Sequence, residues 1–437
     1  MKLSSSAYLV LFSVALKITV AFFLPVFGDE SYYWFWGQHA QLSYFDHPGM
    51  VGWLTAVGSK LSFLPLGLLV RWPFIFVSSF SFWIFLNILK KNTESKNLIL
   101  YLALFYLLNP MLGIGGIFAT PDVGLVFFWT LSYWFTLQII EKQKSKDYIF
   151  LGIALGFGLC SKYHIVLFPI SIILSLWFSK KLHLIEFKKL MLTILFGFIF
   201  SLPVLVWNLQ NDWASFAFQF NHGFNGRSYS PMWTVTYILG QIFLFNPFLF
   251  YNFINNEKKL FTHKSALVQW LFFLASSFKA SVEANWPVTA HIQALASHQV
   301  LNKKYFKFAF AYGILIWMVG LAFLWTPMGE KKLKSLPNSV LAEKIWSEVS
   351  NYSPLYGPTY QMSSLLHLIS GKEILKLNEL SRTDFYDSNL FPKPSDKVFY
   401  TLKYDISTWP DWITSAQINL IKTIPEYNLG LYRIVRE

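Results

Sequence analysis

"GDESYYWFWGQHAQLSYFDHPG", Gly28 to Gly49, follows directly on the first long apolar run of the chain. It holds three carboxylates (Asp29, Glu30 and Asp46), two histidines and a dense block of aromatics. Elsewhere charge is scarce. Only 14% of the 437 residues are charged and 54% are hydrophobic, and the mean hydropathy is +0.42. Soluble domains carry about 25% charged residues, so this composition belongs to a membrane protein. Three acids crowded where an apolar run ends therefore call for a reason.

Working outward, apolar segments recur to about residue 326, many about as long as a bilayer is thick and several shorter than a full span. Between them lie short lysine clusters: Lys90, Lys91 and Lys96; Lys142, Lys144 and Lys146; Lys180, Lys181, Lys188 and Lys189; Lys258, Lys259 and Lys264; Lys303, Lys304 and Lys307. These carry much of the net charge of +13. They read as cytoplasmic loops rather than as a nucleic-acid surface. The alternate breaks, at 28–62, 119–122, 161–164, 208–231 and 279–286, are poor in cations and rich in aromatics, acids and amides. The pattern predicts about eleven spans, roughly at 7–27, 66–89, 98–118, 123–140, 148–160, 165–179, 190–207, 232–254, 265–279, 287–301 and 305–326. An odd count places the polar breaks and the tail on the outer side. The first run ends in Pro-Val-Phe-Gly-Asp, not in small residues, and reads as a retained helix. The single cysteine, Cys160, excludes an internal disulfide.

The expected organisation is a transmembrane domain over 1–326, with 28–62 as its first outer loop, and a small extracytoplasmic α/β domain over 327–437. In the tail Leu341, Ile345 and Val349 repeat at helical spacing, while "KVFYTLKY" (397–404) and "LGLYRIV" (429–435) are strand-like. Nothing in the tail marks chemistry.

The outer polar groups each have a plain reading beside a functional one. A helix is expected from Glu30 to His39, with Tyr32 to Trp36 in the headgroup region and Asp29 at its N-terminus. An acid there also caps helices. "YFDHPG" returns Asp46 beside His47, ahead of a proline that disfavours helix. "ATPDVG" places Asp122 at the head of a span, where it too reads as a cap. "CSKYH" sets Lys162, Tyr163 and His164 between two short apolar runs, where the cation asks for an anionic partner. "KASVEANWP" adds Lys279, Glu283 and Asn285. Lys17, inside the first span, reads as a snorkelling or structurally paired cation.

Acids and cations gathered at one membrane face suit a reaction between a hydrophilic acceptor and a lipid-anchored phosphate donor. Cations neutralise the departing phosphate, and a carboxylate takes the proton of the attacking group. A single displacement inverts the reacting carbon. A transporter or flippase of the lipid-linked sugar is the alternative, but it calls for a midplane site and internal symmetry, and the sequence shows no repeat.

The block from Gly28 through "GMVGWL", with "ATPD", "GLCSKYH", "WNLQNDWASFAFQFNHG" and "EANWP", resembles bacterial glycosyltransferase family 39. That group is related to the dolichyl-phosphate-mannose protein mannosyltransferases and to the aminoarabinose transferase that modifies lipid A. In the tail "TYQMSSLLHL" and "SRTDFYD" look like further pieces of the same subgroup. The resemblance implies an all-α polytopic membrane protein of GT-C fold with outer-face juxtamembrane helices, in the bacterial inner membrane. It implies a hexosyl- or pentosyl-transferase taking a polyprenyl-phosphate sugar donor to a lipid, glycan or protein acceptor, without cofactor, metal or nucleic acid. It maps the catalytic role to Asp29, Glu30 and Asp122. Substrate binding falls to Asp46, His47, Lys162, Tyr163, Lys279, Glu283 and Asn285. His47 stands where the lipid A enzymes often have lysine, and a neutral imidazole stabilises less negative charge.

Overall fold

The computed structural model describes residues 5–224, 228–255, 260–300, 303–324, 336–413 and 415–436. The chain divides into two compact units. The first takes the described parts of Met1–Ala21, Gln41–Leu54 and Arg71–Gly320; the second takes those of Phe22–Ala40, Thr55–Val70 and Leu321–Glu437. The expected boundary at 326/327 lies outside the described residues, as do Lys258 and Lys259. The segment around Asp29 belongs with the tail unit, whereas Asp46 and His47 belong with the membrane helices.

The described helices run in order α1 (Ser5–Phe23), α2 (Gly28–Gln38), α3 (Met50–Gly58), α4 (Leu66–Asn92), α5 (Lys96–Leu108), α6 (Pro121–Lys142), α7 (Ser145–Ser161) and α8 (Leu167–Phe178). They continue as α9 (Phe187–Gln210), α10 (Ala214–Phe224), α11 (Pro231–Phe245), α12 (Pro247–Ile254), α13 (Phe261–Ser277), α14 (Val288–Ala296) and α15 (Lys303–Leu324). The tail adds α16 (Ser339–Val349) and α17 (Tyr360–Ser370).

Among the described residues four helices, α1, α4, α6 and α9, are long and apolar enough to cross a bilayer, and α11 with α12 makes a fifth if counted as one bent span. The protein is a polytopic membrane protein, but not every expected span is one straight helix. The α11–α12 pair bends by 95°. Asn246 causes the break: its φ is 91°, its Oδ1 accepts from the amides of Phe248 and Leu249, and Pro247 opens the next helix. The expected span at 98–118 stops at Leu108, because the Asn109 side chain turns the chain by accepting from Met111 and Leu112.

The expected span at 287–301 is instead the nine-residue α14, buried along its whole length. Its His291 sits between Asn109 Nδ2 and Gln241 Oε1, each at 3.1 Å. Asn109 donates to Nδ1, so Nε2 carries the proton and donates to Gln241, and the imidazole is neutral. Lys17 donates to Ser78 Oγ at 2.8 Å, which makes it a structural pair within the bundle rather than a snorkelling cation. Helices α7 and α9 pack at backbone distance; a Cβ on Gly152 would lie 2.5 Å from the Thr193 carbonyl oxygen.

The second unit packs α16 and α17 with a four-stranded sheet, β1 (Leu355–Tyr356), β2 (Val398–Tyr404), β3 (Gln417–Ile424) and β4 (Leu429–Val435), in the order β1-β2-β4-β3. β1 runs parallel to β2 and the other pairs are antiparallel. Leu341, Ile345 and Val349 form one buried stripe of α16, as their spacing predicts. The aromatics of α2 are not a headgroup belt. Tyr32, Phe35 and Trp36 are buried, and Phe35 stacks on Tyr386 at 4.4 Å between ring centroids. Tyr32 Oη accepts from the Phe385 amide at 2.8 Å. These rings meet the "TYQMSSLLHL" and "SRTDFYD" segments, and that burial explains the density of aromatics.

Beneath them Lys376 is fully buried, its ammonium donating to Asp384 (2.7 Å), Asp387 (2.5 Å) and the Arg382 carbonyl (2.9 Å). Removing one partner of such a cluster leaves an uncompensated buried charge, at a cost of about 3–5 kcal/mol. Lys376→Met is therefore expected to lower the stability of this unit by that order, measured by denaturant unfolding of the full chain in detergent. Burial pushes the Asp384 carboxyl up to about 6 from 3.8, against the pull of Lys376. Between those values the folded unit holds more protons than the unfolded chain, so stability falls as pH rises through that window. Asp384→Asn is expected to flatten the slope, and unfolding midpoints taken from pH 4 to 7 would show it.

Candidate active site

Helix α6 starts with Pro121 in its first turn, which needs no amide donor there. Asp122 follows at the positive end of the helix dipole, but its side chain is not a cap. Its Oδ1 accepts from Lys162 Nζ and its Oδ2 from Asn285 Nδ2, both at 2.8 Å. The ion pair is nearly closed to solvent, with side-chain exposures of 6% for Lys162 and 18% for Asp122.

Lys162 reaches this position because α7 ends at Ser161. Its own backbone is extended (φ −159°, ψ 137°) before a short 3-10 turn, Tyr163–Val166, leads into α8. The two short apolar runs around "SKYH" are thus one path broken at the lysine. Asn285 arrives from the turn before α14, where the Val288 amide donates to its carbonyl at 3.1 Å. Three elements distant in sequence meet at one carboxylate.

His164 joins this centre. Its ring lies 5.4 Å from Trp286 and 5.6 Å from Phe273, and it interacts electrostatically with Lys162, Asp122 and His47. His47 comes from the first loop, where the Tyr44 amide donates to the His47 carbonyl and Ser43 bridges Pro48. That turn docks on α9 and α10: Gln219 donates to the Asp46 carbonyl at 2.6 Å, and Trp207 Nε1 to Gln41 Oε1 at 2.8 Å. Asp46 itself is buried, and His47 is half-buried.

Within the first unit the structure therefore gathers His47, Asp122, Lys162 and Asn285, with Asp46 in the adjoining turn. It also adds His164, which spacing alone did not single out. Tyr163 points elsewhere, its hydroxyl 2.8 Å from Ser215 Oγ on α10. Lys279 and Glu283 are exposed in the turn preceding α14. Asp29 and Glu30 belong to the second unit. Glu30 Oε2 accepts from the Phe27 amide at 3.1 Å, so it is this acid that closes the start of α2. Asp29 is exposed and accepts from Gln361 and Tyr360 of the tail. Among the described residues no three of His, Cys, Asp and Glu converge as metal ligands.

The family described as dolichyl-phosphate-mannose-protein mannosyltransferase matches residues 46–207, the stretch that carries His47, Asp122 and Lys162. The lipid A galacturonosyltransferase RgtD of Rhizobium johnstonii is 22% identical over 294 residues, which is 61% of this chain and 58% of that protein. The chain thus aligns with under two thirds of this curated relative. In fold it is similar to ArnT from Cupriavidus metallidurans, solved bound to undecaprenyl phosphate (TM-score 0.65) and in the apo state (TM-score 0.66). Each comparison is 13% identical and covers 98% of both chains. The fold is therefore GT-C-like, an all-α membrane protein carrying a small C-terminal mixed-sheet domain. Residues 46–207 are thus similar to the mannosyltransferase family, and the whole chain is similar in fold to ArnT.

Lys162→Met strands a buried carboxylate with one neutral donor, and a loss of about 3–5 kcal/mol is expected. Adding Asp122→Asn in the same chain should recover most of the thermal midpoint, because no charge is then left unpaired. Melting of the single and double variants in detergent checks this.

Proposed function

We propose that this chain transfers a sugar from a polyprenyl-phosphate donor to an envelope acceptor on the extracytoplasmic face of the bacterial inner membrane. The observation that carries the reading is the Asp122–Lys162–Asn285 centre, built from three separate elements within a GT-C-like fold. An ion pair kept inside a membrane bundle is costly, and such groups mark functional sites. Further support comes from the family match over 46–207 and from the fold likeness to a protein solved with undecaprenyl phosphate.

In this reading an acceptor hydroxyl oxygen attacks the anomeric carbon of the donor. The bond from that carbon to the phosphate oxygen breaks, the lipid leaves as polyprenyl phosphate, and the hydroxyl proton passes to Asp29. One displacement inverts the anomeric centre. Lys162 faces the developing phosphate charge, with the bond to Asp122 using one of its three donors. His47 and His164 supply further donors there, which offsets the absence of a lysine beside Asp46. Asp122 and Asn285 fix the lysine. Lipid A, another envelope glycan and a secreted protein are the acceptor classes.

A general base contributes typically about 10²–10⁴-fold. Asp29→Asn is expected to reduce transfer by at least about 100-fold in folded protein given lipid-linked sugar and envelope acceptor. Undiminished transfer would exclude the base role.

A further inference from the structure

The tail unit contributes to the Asp29 carboxylate directly. Asp29 Oδ1 accepts from Gln361 Nε2 at 2.9 Å and from Tyr360 Oη at 3.3 Å. Both donors stand in the first turn of α17, whose start is fixed by Thr359 Oγ1 accepting from the Met362 amide at 3.3 Å. The chain on either side is clamped. The Gly28 amide donates to the Pro337 carbonyl at 2.9 Å, and the Ser339 amide to the Val26 carbonyl at 2.8 Å. A Cβ on Gly28 would lie 2.7 Å from Gln361 Cβ, so only glycine lets α17 come this close. Tyr360 is steadied in turn by the Tyr32 ring, 4.4 Å away between centroids, and by the Arg382 guanidinium, 4.5 Å from its ring.

An exposed aspartate on a helix ordinarily samples several rotamers, and a base that must meet one hydroxyl loses rate to each unproductive one. Two donors on Oδ1 select one orientation and leave Oδ2 to take the proton. We infer that Gln361 is a positioning residue for the Asp29 carboxylate, supplied by the C-terminal unit. This rests on Asp29 acting as the base. Gln361 does not touch the reacting atoms; it acts through the acid.

The test uses the full chain in native membranes. The donor is the pool of polyprenyl-phosphate sugars extracted from the same cells, and the acceptors are the envelope lipids and proteins of those membranes. Gln361→Leu keeps the side-chain volume without the donor. It is expected to lower kcat by about 10–100-fold while the donor KM changes less than about twofold. In an Asp29→Asn background the same change should cost nothing further, because the group it orients is gone. Should Gln361→Leu fail to fold, Gln361→Glu, which sets an acid against Asp29, should show the same kcat loss. An unchanged kcat, or an equal additional loss in the Asp29→Asn background, overturns the positioning role. Wild-type transfer by Asp29→Asn alone overturns instead the base assignment beneath it, so the two failures are separable.

Discussion

The bond between Lys162 and Asp122 is the interaction on which the membrane unit turns. Two opposite charges are taken out of water inside a largely apolar bundle, and their attraction offsets that cost only if the geometry is good and the remaining oxygen is satisfied. Asn285 satisfies it. The arrangement constrains three pieces of chain at once: the start of α6, the break after α7 and the turn before α14. A well-packed apolar pair would hold those elements at less expense, so stability alone does not account for it. The result is an ammonium held in one place by one carboxylate, with His164 within electrostatic reach.

The second unit follows a different logic. Its core is aliphatic where α16 and α17 meet the sheet, and aromatic where the rings of α2 are buried against α17 and the Phe385–Asp387 turn. Lys376 with its two aspartates ties that turn to the segment that follows α17. The same α2 that carries Asp29 at its exposed start is thus held along its buried face. A carboxylate that must keep one orientation benefits from a rigid mount.

Much of this was legible in the sequence. The apolar runs marked a membrane protein, the spacing of Leu341, Ile345 and Val349 gave α16, and two strand-rich segments became β2 and β4. Lys162 stood out as a cation asking for an anionic partner, and Asp122, which read as a helix cap, is that partner. What spacing could not supply was long-range pairing. Asn285 lies 163 residues from Asp122 and Gln361 lies 332 from Asp29, and nothing local in "EANWP" or "TYQMSS" names the carboxylate it meets. The aromatic block was misplaced for a related reason, since rings suited to a headgroup layer suit a protein interior equally well. The spans expected at 98–118 and 232–254 are interrupted where a single asparagine, Asn109 or Asn246, ends a helix inside a continuous apolar run.

The central claim is chemical: a sugar leaves a lipid phosphate and stays on an envelope acceptor. Mass spectrometry of envelope lipids, glycans and proteins, in cells with the gene and cells without it, tests this most directly. The account predicts that deletion removes one glycosylated acceptor and leaves its polyprenyl-phosphate sugar accumulating on the outer leaflet. An unchanged set of acceptors, or a donor that fails to cross the membrane when the protein is absent, would contradict it.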